Sequence, residues 1–180
     1  MHHYIALLRG INVGGHKKVS MADLRELLGR LGFDEPQSLM QSGNLLFRCD
    51  ARPAAQLEQL LEREVQKRLG LQSDFFVRTA GEWKSVVANN PFRKEAEHDP
   101  GHMLVMFLRD TPARKNEEEL RSAFTGPETF AVKGRHAYLV YPAGMGTSRF
   151  TGALIEKKLG TRGTARNWNT VMKLAALTGK

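Results

Sequence analysis

One order of elements can be read twice along this chain: strand, helix, hairpin, helix, strand and a trailing helix. Nothing else in the sequence limits the fold so tightly. Tyr4–Arg9 is a short apolar run with a β-like centre, followed by the glycine-rich stretch Gly10–Gly15. Ser20 then reads as an N-cap with Asp23 three residues on, and Met21, Leu24, Leu27, Leu28 and Leu31 follow at helical spacing up to Gly32. Gln37–Gln41 and Asn44–Cys49 read as strands joined across Ser42-Gly43, where glycine supplies a positive φ without steric cost. Pro53 opens a helix with Leu57, Leu60, Leu61, Val65 and Leu69 on one face, and Gly70 closes it. Asp74–Arg78 is the next strand, and Thr79-x-x-Glu82 caps a short helix bearing Trp83, Val86 and Val87.

The second half repeats the order. His102–Arg109 is a strand, and Asn116-x-x-Glu119 opens a helix with Leu120 and Phe124. Thr129–Lys133 and Arg135–Tyr141 form a hairpin across Gly134. A helix then runs through Phe150, Leu154 and Ile155 to Gly160, and Gly163–Ala165 is extended. Asn167 caps the last helix, with Trp168, Val171, Met172 and Ala175 on one face. Trp83 and Trp168 each precede a matching apolar pattern. The offset between halves falls from 98 at the first strand to 91 at the hairpin glycine and 85 at the tryptophan. Shorter connections in the second half produce that drift, which reads as a duplication.

A βαββαβ order closes most simply as an antiparallel sheet with two helices on one face. The expected fold is therefore α+β: two ferredoxin-like (βαββαβ plus helix) subdomains related by duplication, residues 1–95 and a basic 96–180. The junction falls in Asn89–Gly101, around Pro91 and Pro100. The same topology places the Gly10–Gly15 loop and the Gln41–Asn44 hairpin at one end of the first sheet.

Composition narrows the function classes. The longest unbroken apolar run, Met103–Leu108, is far short of the roughly 20 residues a membrane helix needs. Ile5–Leu8 is too short for the core of a secretion signal. Cys49 is the single cysteine, which excludes an intrachain disulfide and a thiolate metal cage. These features predict a cytoplasmic protein with no membrane partner. The six histidines show no H-E-x-x-H spacing, and His98 and His102, though four apart, flank Pro100 and Gly101 and do not share a helix face, so no metal and no cofactor is expected. Charge is uneven: residues 129–180 hold nine Lys/Arg and one acid, Glu156, and so carry the whole formal excess of +8. Such a segment attracts phosphate and other anions.

Three segments are candidate sites. The first is the strand–helix loop with Arg9, Gly10, Asn12, Gly14 and Gly15, whose glycines let backbone N–H groups approach a ligand. It falls short of the phosphate-binding loop G-x-x-x-x-G-K-[ST], because His16 stands where lysine is required. The second is the hairpin with Gln41, Ser42 and Asn44, where substitution of Asn44 is expected to leave stability nearly unchanged. Hairpin chemistry alone also accounts for these residues. The third is Thr164-Ala-Arg-Asn-Trp-Asn-Thr170 with Arg162 beside it, in which Arg162, Arg166, Asn167, Asn169 and Thr170 surround a helix start. Lys133-Gly134 opens like an RNA-recognition motif, but Arg135 and Ala137 stand where stacking aromatics belong. Two readings of function follow. One is a binding protein for a phosphate-bearing ligand, nucleic acid or nucleotide, with Arg135, Arg149, Lys157, Lys158, Arg162, Arg166 and Lys173 as a patch. The other is an enzyme acting on a small polar substrate at the Gly10–Gly15/Gln41–Asn44 cleft, for which no general base is evident.

The stretches Ala6–Gly15, Gln41–Asn44, Asn90–Phe92 and Thr164–Thr170 together resemble the bacterial family catalogued as domain of unknown function 1697. The resemblance covers nearly the whole chain and implies a two-subdomain α+β protein. It implies no activity and no catalytic residue.

Overall fold

The computed structural model describes residues 1–10 and 18–179. The first part of the chain forms β1 (His2–Leu8), α1 (Met21–Arg30), β2 (Asp34–Leu39), β3 (Asn44–Cys49), α2 (Ala54–Leu69) and β4 (Phe75–Thr79). Their sheet has the order β2-β3-β1-β4, and every neighbouring pair is antiparallel. After α3 (Ala80–Ala88) and α4 (Arg93–His98) come β5 (Met103–Leu108), α5 (Arg114–Ala123), β6 (Thr129–Lys133), β7 (His136–Val140), α6 (Gly152–Leu159), β8 (Gly163–Asn167) and α7 (Trp168–Thr178). The second sheet has the order β6-β7-β5-β8, again antiparallel throughout. The fold is α+β, with two ferredoxin-like units. Contacts within the chain group Met1–Ser85 with the residues from Leu174 on, and Val86–Lys173 as the other unit.

In the first unit Tyr4, Ala6 and Leu8 of β1 share a face with Leu45, Phe47 and Val77, against Leu24 and Leu28 of α1 and Leu57 and Leu61 of α2. Ile5 and Leu7 point to the opposite face and are also buried. Burial on both faces explains why β1 is an unbroken apolar run, where a half-exposed strand would alternate. In the second unit Leu104, Met106 and Leu108 pack with Leu139 and Phe130 against Leu120 of α5 and Ile155 of α6. Val105 and Phe107, on the other face, are again fully buried.

Local signals set the helix ends. Ser20 Oγ accepts from the N–H groups of Ala22 and Asp23 at the start of α1. Thr79 and Glu82 form a reciprocal capping box, Glu82 N to Thr79 Oγ1 at 3.1 Å and Thr79 N to Glu82 Oε2 at 2.8 Å. Gly70 and Gly160 close α2 and α6 in the left-handed region, at φ 64° and 70°.

Four details differ from the sequence expectation. β2 begins at Asp34 because its register shifts between Asp34 and Gln37, with Glu35 at φ 50° and Pro36 unable to donate. Phe150 precedes α6, which Thr151 caps through Leu154 N. Asn116 does not cap α5, which starts at Arg114. Its amide donates instead to Leu159 O at 3.1 Å, satisfying a carbonyl in the last turn of α6. Trp83 and Trp168 are both buried, yet Trp83 lies four residues after its helix cap, Thr79, and Trp168 one after Asn167. Aligned on their caps, Trp83 corresponds to Val171.

Candidate functional site

In each unit the end of the central strand meets the hairpin on one side and the edge strand on the other. In the first unit Leu8 N donates to Gly43 O at 2.9 Å, and Arg9 N donates to Asp74 O at 3.1 Å. Ser73 Oγ fixes the chain further by donating to Arg9 O at 2.9 Å. In the second unit Leu108 N donates to Arg135 O at 2.9 Å, and Arg109 N to Arg162 O at 2.8 Å. Asp110 N donates to Thr161 Oγ1 at 3.1 Å. Arg9 and Arg109 thus hold the same place, as do Ser73 and Thr161, Asp74 and Arg162, and Gly43 and Arg135.

One of these matched places reverses its charge, Asp74 in the first unit and Arg162 in the second. In the first unit Arg9 faces Asp74, with Nη1 3.8 Å from Oδ2. In the second, Arg109 and Arg162 stand side by side past the ends of β5 and β8, and Arg135 lies one position back, opposite Leu108. Neighbouring strands lie about 4.8 Å apart, which sets the spacing of the Arg109 and Arg162 backbones. Beside them lies a cleft of about 550 Å³ lined by Arg109, Arg162 and Lys157, with Asp110, Glu156 and Gly160. Glu156 is partly engaged, since its Oε1 accepts from Gly163 N at 3.2 Å. Arg162 and Lys157 are exposed and Arg109 is half-buried. Such a wall, cationic at its rim and backed by the protein interior, concentrates anions.

The other sequence candidates have varied placements. Arg9 and Gly10 lie at the hairpin end of the first sheet, with Gly10 at φ 61°; Asn12, Gly14 and Gly15 lie outside the described residues. Gln41 and Ser42 are exposed, whereas Asn44 is fully buried. Asn44 Nδ2 donates to Leu39 O at 2.9 Å and to Ser42 Oγ at 3.0 Å, which binds the hairpin together. Arg166 is 8% exposed, and its Nη1 donates to Thr164 Oγ1 at 2.8 Å and Ala165 O at 2.9 Å. Burial lowers its pKa to about 10. Asn167 Oδ1 accepts from Thr170 N at 2.9 Å as the cap of α7, Thr170 is buried, and Asn169 is exposed. The polar density at Thr164–Thr170 is therefore mostly internal. Of that segment and its flank, Arg162 is the residue that reaches the cleft.

Lys157 and Arg162 belong to the basic patch expected from the sequence, whereas Arg109 was not among the sequence candidates. A signal for Arg109 exists: Leu7-Leu-Arg9 and Phe107-Leu-Arg109 both end a central strand with an apolar pair and an arginine.

The chain matches the model of the family DUF1697, described as a protein of unknown function, over residues 1–138. The chain belongs to that family. No curated protein matches it. Among solved structures, this DUF1697 protein is similar to a conserved bacterial protein, SP0830, from Streptococcus pneumoniae. The two share 24% identity at a TM-score of 0.72, over 100% of this chain and 99% of the other. That likeness shows the fold.

No group of three or more His, Cys, Asp or Glu side chains placed to hold a metal occurs among the described residues. No helix among them is long and apolar enough to cross a membrane.

Proposed function

We propose that this DUF1697 protein is a cytoplasmic binding protein for a phosphate-bearing ligand, a nucleic acid or a nucleotide. The arginine end of its second unit, Arg135, Arg109 and Arg162 with Lys157, is the binding surface. The observation that carries this reading is the charge reversal between equivalent places. One fold position holds an Arg9–Asp74 pair in the first unit and an Arg109–Arg162 pair in the second. A phosphate-bearing ligand meets these guanidinium groups with charge-assisted hydrogen bonds. Arginine's planar fork suits phosphate oxygens.

Direct readout of bases is not part of the proposal, because no set of exposed aromatics accompanies the arginines. The position-by-position match of Ser73 with Thr161 and Thr79 with Asn167 supports descent of both units from one duplicated unit. The test is binding of single- and double-stranded nucleic acid at low salt by the intact chain and by its Arg109→Gln/Arg162→Gln variant. Retention by the first and its loss in the second is the expected pair of results.

A further inference from the structure

We propose that a second cleft, at the opposite end of the same unit, binds a small organic monoanion with an apolar body, such as a carboxylate carried on an aromatic ring. The arginine end lies where β5 ends at Leu108. This cleft lies where β5 begins, since Val140, the last residue of β7, pairs with Met103. Its volume is about 580 Å³, within the roughly 300–1,000 Å³ of small-molecule sites.

Two connections form its walls, Thr125–Glu128 between α5 and β6 and Ala143–Arg149 between β7 and α6. A hydrogen bond from Ser148 Oγ to Glu128 Oε1 ties them together, and Ser148 Oγ also accepts from Phe150 N at 3.0 Å. The cleft is thus held open in one shape, which lowers the ordering cost of binding. Phe124 and Leu154 give it an apolar side, with the Phe124 ring stacked on Phe150 at 4.4 Å between centroids.

The sign of the charge follows from where the two ionised groups point. Glu128 is turned inward: Oε1 takes the Ser148 hydroxyl, and Oε2 is buried where a Cβ on Gly126 would come within 2.5 Å of it. Arg149, by contrast, is exposed on the cleft lining. The first turn of α6, whose Leu154 lines the same cleft, adds the positive end of a helix dipole. An anionic group therefore sits toward Arg149 and an apolar body against Phe124 and Leu154. Bare phosphate would fill only the first half of that description.

The experiment is an amide chemical-shift titration of the full chain with benzoate, with benzyl alcohol as the uncharged control and with inorganic phosphate. Benzoate is expected to shift Phe124, Gly126, Gly144 and Ser148, and benzyl alcohol to do so far more weakly. Arg149→Gln changes an exposed side chain and should leave the folded spectrum intact while weakening benzoate by about tenfold or more, the loss of one charge-assisted hydrogen bond. Arg162→Gln should leave benzoate binding unchanged. The proposal is overturned if benzoate leaves these amides unmoved at tens of millimolar, if Arg149→Gln binds it equally, or if phosphate alone produces the same shifts.

Discussion

Arg78 and Arg166 occupy one place in two sheets. Each sits on the edge strand opposite the middle of the central strand, Arg78 facing Ile5 and Arg166 facing Val105. Each donates from Nη1 at 2.9 Å to the carbonyl of its own preceding residue, Val77 or Ala165. Both are buried, at 0% and 8% exposure. Their surroundings differ. Arg78 lies 3.9 Å from Glu58, itself buried, whereas Arg166 is held by the Thr164 hydroxyl.

That difference predicts unequal costs of removal. Arg78→Ala removes a cation beside the buried Glu58 and should cost about 3–5 kcal/mol. Arg166→Ala loses packing and leaves neutral groups unpaired, for about 1–3 kcal/mol. Arg166→Met keeps the stem volume and should recover most of that loss. Urea unfolding of the three variants checks the order, and an Arg166→Ala cost above that of Arg78→Ala would contradict it.

Asn44→Ala should cost about 1–3 kcal/mol, because it removes two hydrogen bonds, to Leu39 O and Ser42 Oγ, that tie the hairpin together. Sequence alone pointed to a nearly neutral change, on the view that Asn44 faces a ligand. Thermal unfolding of the variant distinguishes the two, and a melting temperature equal to that of the parent would return Asn44 to the surface site.

Burial pushes the phenols of Tyr138 and Tyr141 up to about 12, with the Glu128 charge adding to the effect at Tyr141. Tyr138 Oη donates to Val86 O at 2.6 Å and Tyr141 Oη to Phe150 O at 2.7 Å. These groups stay protonated in the folded chain while the unfolded chain ionises near pH 10. Their contribution is therefore complete below pH 10 and is lost as pH rises from 10 to 12. Denaturation followed across that window should show falling stability, and Tyr138→Phe with Tyr141→Phe should flatten the fall. An equally steep fall in the double variant would place its cause elsewhere.

What was legible in the sequence was what neighbours in the chain decide. The Thr79–Glu82 capping box, the left-handed glycines at 70 and 160, and the turn at Gly43 are contests settled within four or five residues, and element order then gave the strand order. What was hidden depends on partners distant in the chain. Asn116 has a cap's spacing but finds Leu159 O, 43 residues away. Arg166 looks like a surface cation in a basic segment, and only the sheet register shows that it points inward. The converse holds for Arg109, an ordinary strand-end residue until the fold sets it beside Arg162.

Phosphate alone should stabilise the chain by binding the folded arginine end. A rise in melting temperature with phosphate concentration is expected by mass action, and Arg109→Gln/Arg162→Gln should abolish it. An unchanged rise in that variant would assign the effect to another part of the surface.

The most direct measurement of the central claim is the salt dependence of affinity for single- and double-stranded nucleic acid. If the arginine end contacts phosphates, log affinity falls linearly with log salt, with a slope of roughly −0.7 to −0.9 for each contact. Replacing Arg109 and Arg162 together with glutamine should flatten that slope by about two contacts, with little change in sequence preference. Absence of binding by the parent chain at low salt, or a slope the double replacement leaves unaltered, would contradict the claim.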